Sequence, residues 1–107
     1  MPIYHWFSAN AARELGLVDA VVLTYAARWI ERRRTFRKDG ERWMSVMQSA
    51  FHEQFDYLSH ETVNSSVRRL ERNGMIRVRR NGDIPGAMYL CVTETGWRTL
   101  GEKLKQE

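Results

Sequence analysis

Few residues in this chain can cross-link, coordinate a metal or break structure. One cysteine among 107 residues excludes an internal disulfide framework, and alone it makes no metal site. Cys91 lies inside the apolar run Met88-Tyr-Leu-Cys-Val, which predicts a buried, inert thiol. Two prolines, with no repeat and no Ser/Gly-rich stretch, leave nowhere for a linker, so residues 1–107 read as a single domain. No apolar run approaches the roughly 18 residues of a membrane span. The start Met1-Pro-Ile-Tyr-His-Trp-Phe lacks the basic region and cleavage site of a secretory signal. A cytoplasmic protein with no membrane partner is expected. The three histidines have no ligand spacing, since His52-Glu53 is followed by Asp56 where a second histidine would be needed. Ser59 and His60 are adjacent, a poor geometry for a nucleophile and its base, and no motif supplies an acid behind them. Neither an enzyme, nor a cofactor, nor a metal centre is expected.

Lysine is scarce as well: arginine outnumbers it 14 to 3. Guanidinium forks suit bidentate contact with phosphate or guanine better than ammonium groups do. The net charge is +4, and its placement says more than its size. Between Ser59 and Arg80 stand six arginines (68, 69, 72, 77, 79 and 80) against Glu61 and Glu71, while the rest of the chain balances. A second basic stretch, Arg28 to Arg42, carries seven cations against three acids and is offset elsewhere. Apolar residues at 43% and charged residues at 28% fit a folded protein with a modest core.

Local signals order the elements. Ser8 caps a short helix that ends at Gly16, and Asp19 is expected to cap a longer one over 20–33. Ala20, Leu23, Ala26, Ala27 and Ile30 form the core-facing stripe of that helix, extended by Tyr25 and Trp29. Asp39-Gly40 is a two-residue turn signal that predicts a hairpin returning through Trp43 and Met44. Ser45 or Ser49 is expected to cap a helix through Phe55 that buries Phe51 and Phe55. Ser59 caps the next helix, whose narrow apolar seam is Val63, Val67 and Leu70, and Gly74 ends it. Ile76, Val78, Leu90 and Val92 alternate as two strands, with Asn81-Gly82 and Pro85-Gly86 at the tip. Thr93 caps a last helix running to about Lys105, with Trp97 and Leu100 or Leu104 inward. The aromatic start Ile3-Tyr-His-Trp-Phe is expected to pack on that last helix, within one chain or across a homodimer. This order predicts an α+β fold, a winged helix-turn-helix with a small antiparallel sheet and a wing hairpin.

The pattern Ser59-x-x-Thr-Val-x-x-x-Val-x-x-Leu-x-x-Asn-Gly-Met-Ile resembles the recognition helix of winged-helix DNA-binding proteins. Val92-Thr-Glu-Thr-Gly-Trp resembles the close of the wing in MarR- and PadR-like regulators. Leu15-Gly-Leu-Val-Asp-Ala-Val-Val-Leu, Gly40-Glu-Arg-Trp-Met-Ser-Val and Phe55-Asp-Tyr-Leu-Ser are similar to N-terminal domains of phage and plasmid replication-initiation proteins. Those are replisome organisers of the DnaD type. The resemblance spans roughly residues 12–97 and implies a role in replication initiation or transcription, with a replication or transcription protein as a further partner. Proteins of that type usually continue into a second domain. A chain ending at Glu107 is therefore expected to be either a fragment or a stand-alone regulator.

With the seam inward, helical geometry turns His60, Glu61, Thr62, Asn64, Ser65, Arg68 and Arg69 outward toward double-stranded DNA. Asn64 suits adenine, Arg68 or Arg69 suits guanine, and Thr62 and Ser65 reach thymine methyls or phosphates. Arg72 extends the same basic flank. Ser59 and the N–H groups behind it offer a phosphate site. Arg77, Arg79, Arg80 and Asn81 on the wing are expected to meet phosphates or the minor groove, on a surface continuous with the helix. A protein adaptor that does not bind DNA is the competing expectation.

Overall fold

The computed structural model describes residues 5–80 and 82–101. Helix α1 (Ala9–Leu15) starts where the Ser8 hydroxyl accepts the Ala11 N–H, and it stops at Gly16, whose φ of 89° favours glycine. Helix α2 (Leu17–Arg32) follows directly, with Gly16 as its N-cap. The expected Asp19 cap is corrected here: Asp19 is in the first turn, buried, and it points at another helix. The stripe Ala20, Leu23, Ala26, Ala27 and Ile30 is buried as its spacing requires.

Strands β1 (Thr35–Lys38) and β2 (Glu41–Met47) are joined by Asp39 and Gly40, both at positive φ (55° and 78°), the combination a tight hairpin needs. Strand β2 continues through Ser45, which pairs with Tyr89, so neither serine caps helix α3 (Gln48–Glu53). Its N-cap is Met47, and the Gln48 N–H is taken by the Gly86 carbonyl at 2.8 Å. Pairing with a central strand outweighs a local cap signal. Phe51 and Phe55 are buried as expected, the second in the turn beyond the helix.

Helix α4 (His60–Arg72) is capped by Ser59, whose hydroxyl accepts the Thr62 N–H at 3.0 Å. Strands β3 (Ile76–Arg80) and β4 (Ala87–Val92) form the wing hairpin, and helix α5 (Glu94–Thr99) starts at the Thr93 cap. It is shorter than expected, ending at Leu100 and Gly101, the latter at φ 83°. Trp97 and Leu100 are buried, whereas Leu104, Lys105 and Asn81 lie outside the described residues.

The four strands form one antiparallel sheet in the order β1-β2-β4-β3. Met44, Val46, Leu90, Val92, Ile76 and Val78 share the face that packs on the helices. The fold is α+β, with the helix-turn-helix of α3 and α4 followed by a hairpin, a winged-helix-like order. Ser8 and Asn10 bond to the carbonyls of Leu100 and Thr99 at 3.0 and 2.8 Å, so α1 and its cap dock on α5. His5 does not: its ring packs on Tyr25, Phe55 and Tyr57, 5.0–5.5 Å between centroids. Trp6 and Phe7 are exposed, and Ile3 and Tyr4 lie outside the described residues.

Candidate nucleic-acid interface

Helix α4 buries Val63, Ser66 and Leu70, while Val67 is only partly covered. The expected seam Val63–Val67–Leu70 faces the core, Val67 least deeply, and Ser66 joins it fully buried. Its polar member is satisfied, because the Ser66 hydroxyl donates to Asp19 Oδ1 at 2.7 Å. Asp19 also receives Arg69, whose Nε and Nη2 donate to its two oxygens at 3.0 and 2.8 Å. That bidentate pair holds the Arg69 guanidinium pKa above its ordinary value, first through the hydrogen bond and then through charge. Arg69 is therefore tied to α2, which corrects its assignment as a base reader. Nothing in the spacing 63, 67, 70 adds Ser66 to the seam. Only the buried acid on a distant helix does.

Opposite this seam the outermost line of α4 is Glu61, Ser65, Arg68 and Arg72, at successive steps of four, three and four residues. Arg68 and Arg72 are exposed, and Arg68 Nη2 donates to Ser65 Oγ at 3.2 Å. Glu61 in the first turn complements the helix dipole. Ser59 and Thr62 meet through their hydroxyls at 2.8 Å, at the exposed N-terminal end.

Asn64 is on the flank and engaged there: its Oδ1 lies 2.8 Å from His52 Nε2 and accepts Gln48 Nε2 at 3.4 Å. This corrects the expectation of an outward Asn64 free for adenine. His60 is exposed, its ring stacked on buried His52 at 4.5 Å and 23°. These contacts tie α4 to α3 across the turn. Beside them lies a groove of about 280 Å³ whose lining includes Gln48, His52, Asn64, Arg68, Glu71 and Arg80.

The wing arginines divide. Arg80 shares the groove with Arg68. Arg77 and Arg79 are in register with Cys91 and Tyr89, on the sheet face turned away from α4. The continuous basic surface expected from helix to wing is corrected to Arg68, Arg72 and Arg80. Alternation carried the signal, because Ile76 and Val78 pointing inward leave 77 and 79 no other direction. Among the described residues no three His, Cys, Asp or Glu side chains converge as metal ligands, and no helix is long and apolar enough to cross a membrane. No protein family matches the chain, and no curated protein or solved structure is significantly similar to it.

Proposed function

We propose that this protein binds double-stranded DNA, with α4 in the major groove and the wing beside it, in replication initiation or transcriptional regulation. One observation carries the reading: Ser65, Arg68 and Arg72 line the outermost edge of α4, and Arg68 shares a groove with Arg80 of the wing. Arg68 is suited to a guanine edge, and Arg72 and Arg80 to phosphates on either side. Ser59 and the first N–H groups of the 13-residue α4 suit one further phosphate. Arg69 and Asn64 hold the helix in place and make no base contact in this reading.

Gel shifts of mixed genomic fragments at two salt concentrations test it. Arg68→Ala is expected to weaken the preferred site by about 1–3 kcal/mol and relax its sequence. Arg80→Ala is expected to weaken all duplexes alike and to flatten the salt dependence. Duplex binding that is absent at low salt, or unchanged in both variants, refutes the reading.

A protein adaptor is the second reading, and the exposure of Trp6, Phe7 and Leu17 (78, 49 and 58%) favours it. Those side chains suit a protein partner or a homodimer. Sedimentation of the protein and of Trp6→Ser separates a homodimer from a monomer, and a monomer at high concentration, with and without DNA, removes the dimer.

A further inference from the structure

On the sheet face opposite α4, Trp43 and Cys91 are buried beneath longer side chains, while Phe36 and the wing arginines reach solvent. Along it the register brings Phe36 of β1, Trp43 of β2, Cys91 of β4 and Arg77 of β3 into one row, with Tyr89 and Arg79 in the next. Phe36 and Tyr89 meet edge to face, 5.5 Å between centroids, and Phe36 is 42% exposed. The Arg79 guanidinium sits 5.9 Å from the centroid of the nearly buried Trp43 ring. Between the β1 edge and the wing these groups border an open slot of about 440 Å³, a volume within the range of ligand sites. Lys38 and Arg80 add cations at its rim; Asp39 is the acid among its described lining residues, and Glu41 lies on the same face beside Cys91.

We propose that this face is a second nucleic-acid site, which takes a single strand. Exposed Phe36 and half-buried Tyr89, set among guanidinium groups, offer what unpaired bases and their phosphates require: bases stack on the rings and cations follow the backbone. A duplex hides its base faces inside its own stack, so Phe36 and Tyr89 have nothing to gain from one. An acidic peptide matches less well. It would bring carboxylates against Asp39 and leave the ring faces without flat partners, whereas the N–H groups of bases, the N3–H of thymine and uracil included, tolerate a neighbouring carboxylate. The slot and the α4 groove lie on opposite faces of the sheet and share Arg80 at the wing, so Phe36, Tyr89 and Arg79 on one side and Arg68 on the other tell them apart.

The test is fluorescence anisotropy with labelled oligothymidylate of about twelve nucleotides, its ribo-uridylate counterpart and an abasic strand of equal length. Binding of the thymidylate is expected, with a loss of about fivefold or more in Phe36→Leu and in Arg79→Gln. The abasic strand is expected to bind about tenfold more weakly than the thymidylate. Arg68→Ala leaves thymidylate binding unchanged while it reduces duplex binding, so failure of this site and failure of the α4 reading are told apart. A preference for the ribo or the deoxy strand identifies RNA or DNA as the ligand. Near-ultraviolet circular dichroism checks that each variant is folded, and Tyr89→Leu replaces Phe36→Leu if the latter is not. No binding of either strand, equal binding of the abasic strand, or displacement by polyglutamate as effective as by oligothymidylate overturns the proposal.

Discussion

Asp19 joins α2 to α4, through the Ser66 hydroxyl 47 positions and the Arg69 guanidinium 50 positions further along the chain. A carboxylate buried to this extent is tolerated because both oxygens have donors. Ser66→Ala removes one of them, and a loss of about 1–3 kcal/mol is expected in urea unfolding. Because Asp19 then loses the cation paired with it, Arg69→Ala is expected to lower the unfolding midpoint and leave the sequence preference of bound DNA unchanged. Arg68→Ala is expected to do the reverse. Cys91 shows the opposite use of burial: desolvation, aided by Glu41, pushes its thiol up to about 12. Almost no thiolate then exists near neutral pH, and thiol reagents are expected to label Cys91 only as the protein unfolds. Rapid labelling of the native protein would contradict this placement. Its inertness was legible from the apolar run around it. The role of Asp19 was not, because a first-turn acid reads equally well as a cap.

Helix α5 is short, so what holds it matters. The Thr93 hydroxyl accepts the Gly96 N–H at 3.1 Å and donates toward the Gly74 and Met75 carbonyls, 2.5 and 3.1 Å away, which fixes α5 to the turn between α4 and β3. Gly96 has no room for a side chain: a Cβ there would run into the Met75 carbonyl and a Val92 methyl. Gly96→Ala is therefore expected to destabilise the fold by about 1–3 kcal/mol, read as a lower thermal midpoint, despite the better helix propensity of alanine. An unchanged or higher midpoint would show that α5 shifts freely. Caps at Ser8, Ser59 and Thr93 and the turn at Asp39-Gly40 were readable, since each acts within a few residues. The start of α3 was not, because β2 extends through Ser45 only by pairing with Tyr89 of a distant strand.

Over the whole molecule, residues 5–10 are held at two places: His5 in the ring cluster, with Nδ1 2.7 Å from the Tyr57 hydroxyl, and Ser8 and Asn10 on α5. Burial lowers the His5 pKa, with Asp56 opposing it. A histidine depressed in the folded state adds stability above its unfolded pKa, and that stability is lost as pH falls through the folded value. The thermal midpoint is expected to drop between about pH 7 and about pH 5, and to drop less in His5→Phe. Equal slopes would detach His5 from the fold. The sheet does something larger: it parts the arginines of one short segment onto two surfaces. Helix and strand type, caps and turns follow from the sequence, because spacing and backbone preference act locally. Which arginine is engaged and which faces outward depends on groups far along the chain. Asp19 holds Arg69, α3 holds Asn64, and β4 turns Arg77 and Arg79 away from α4. Those partners exist only once the chain has folded, because charge and hydrogen bonding act over ångströms of space and not over positions in sequence.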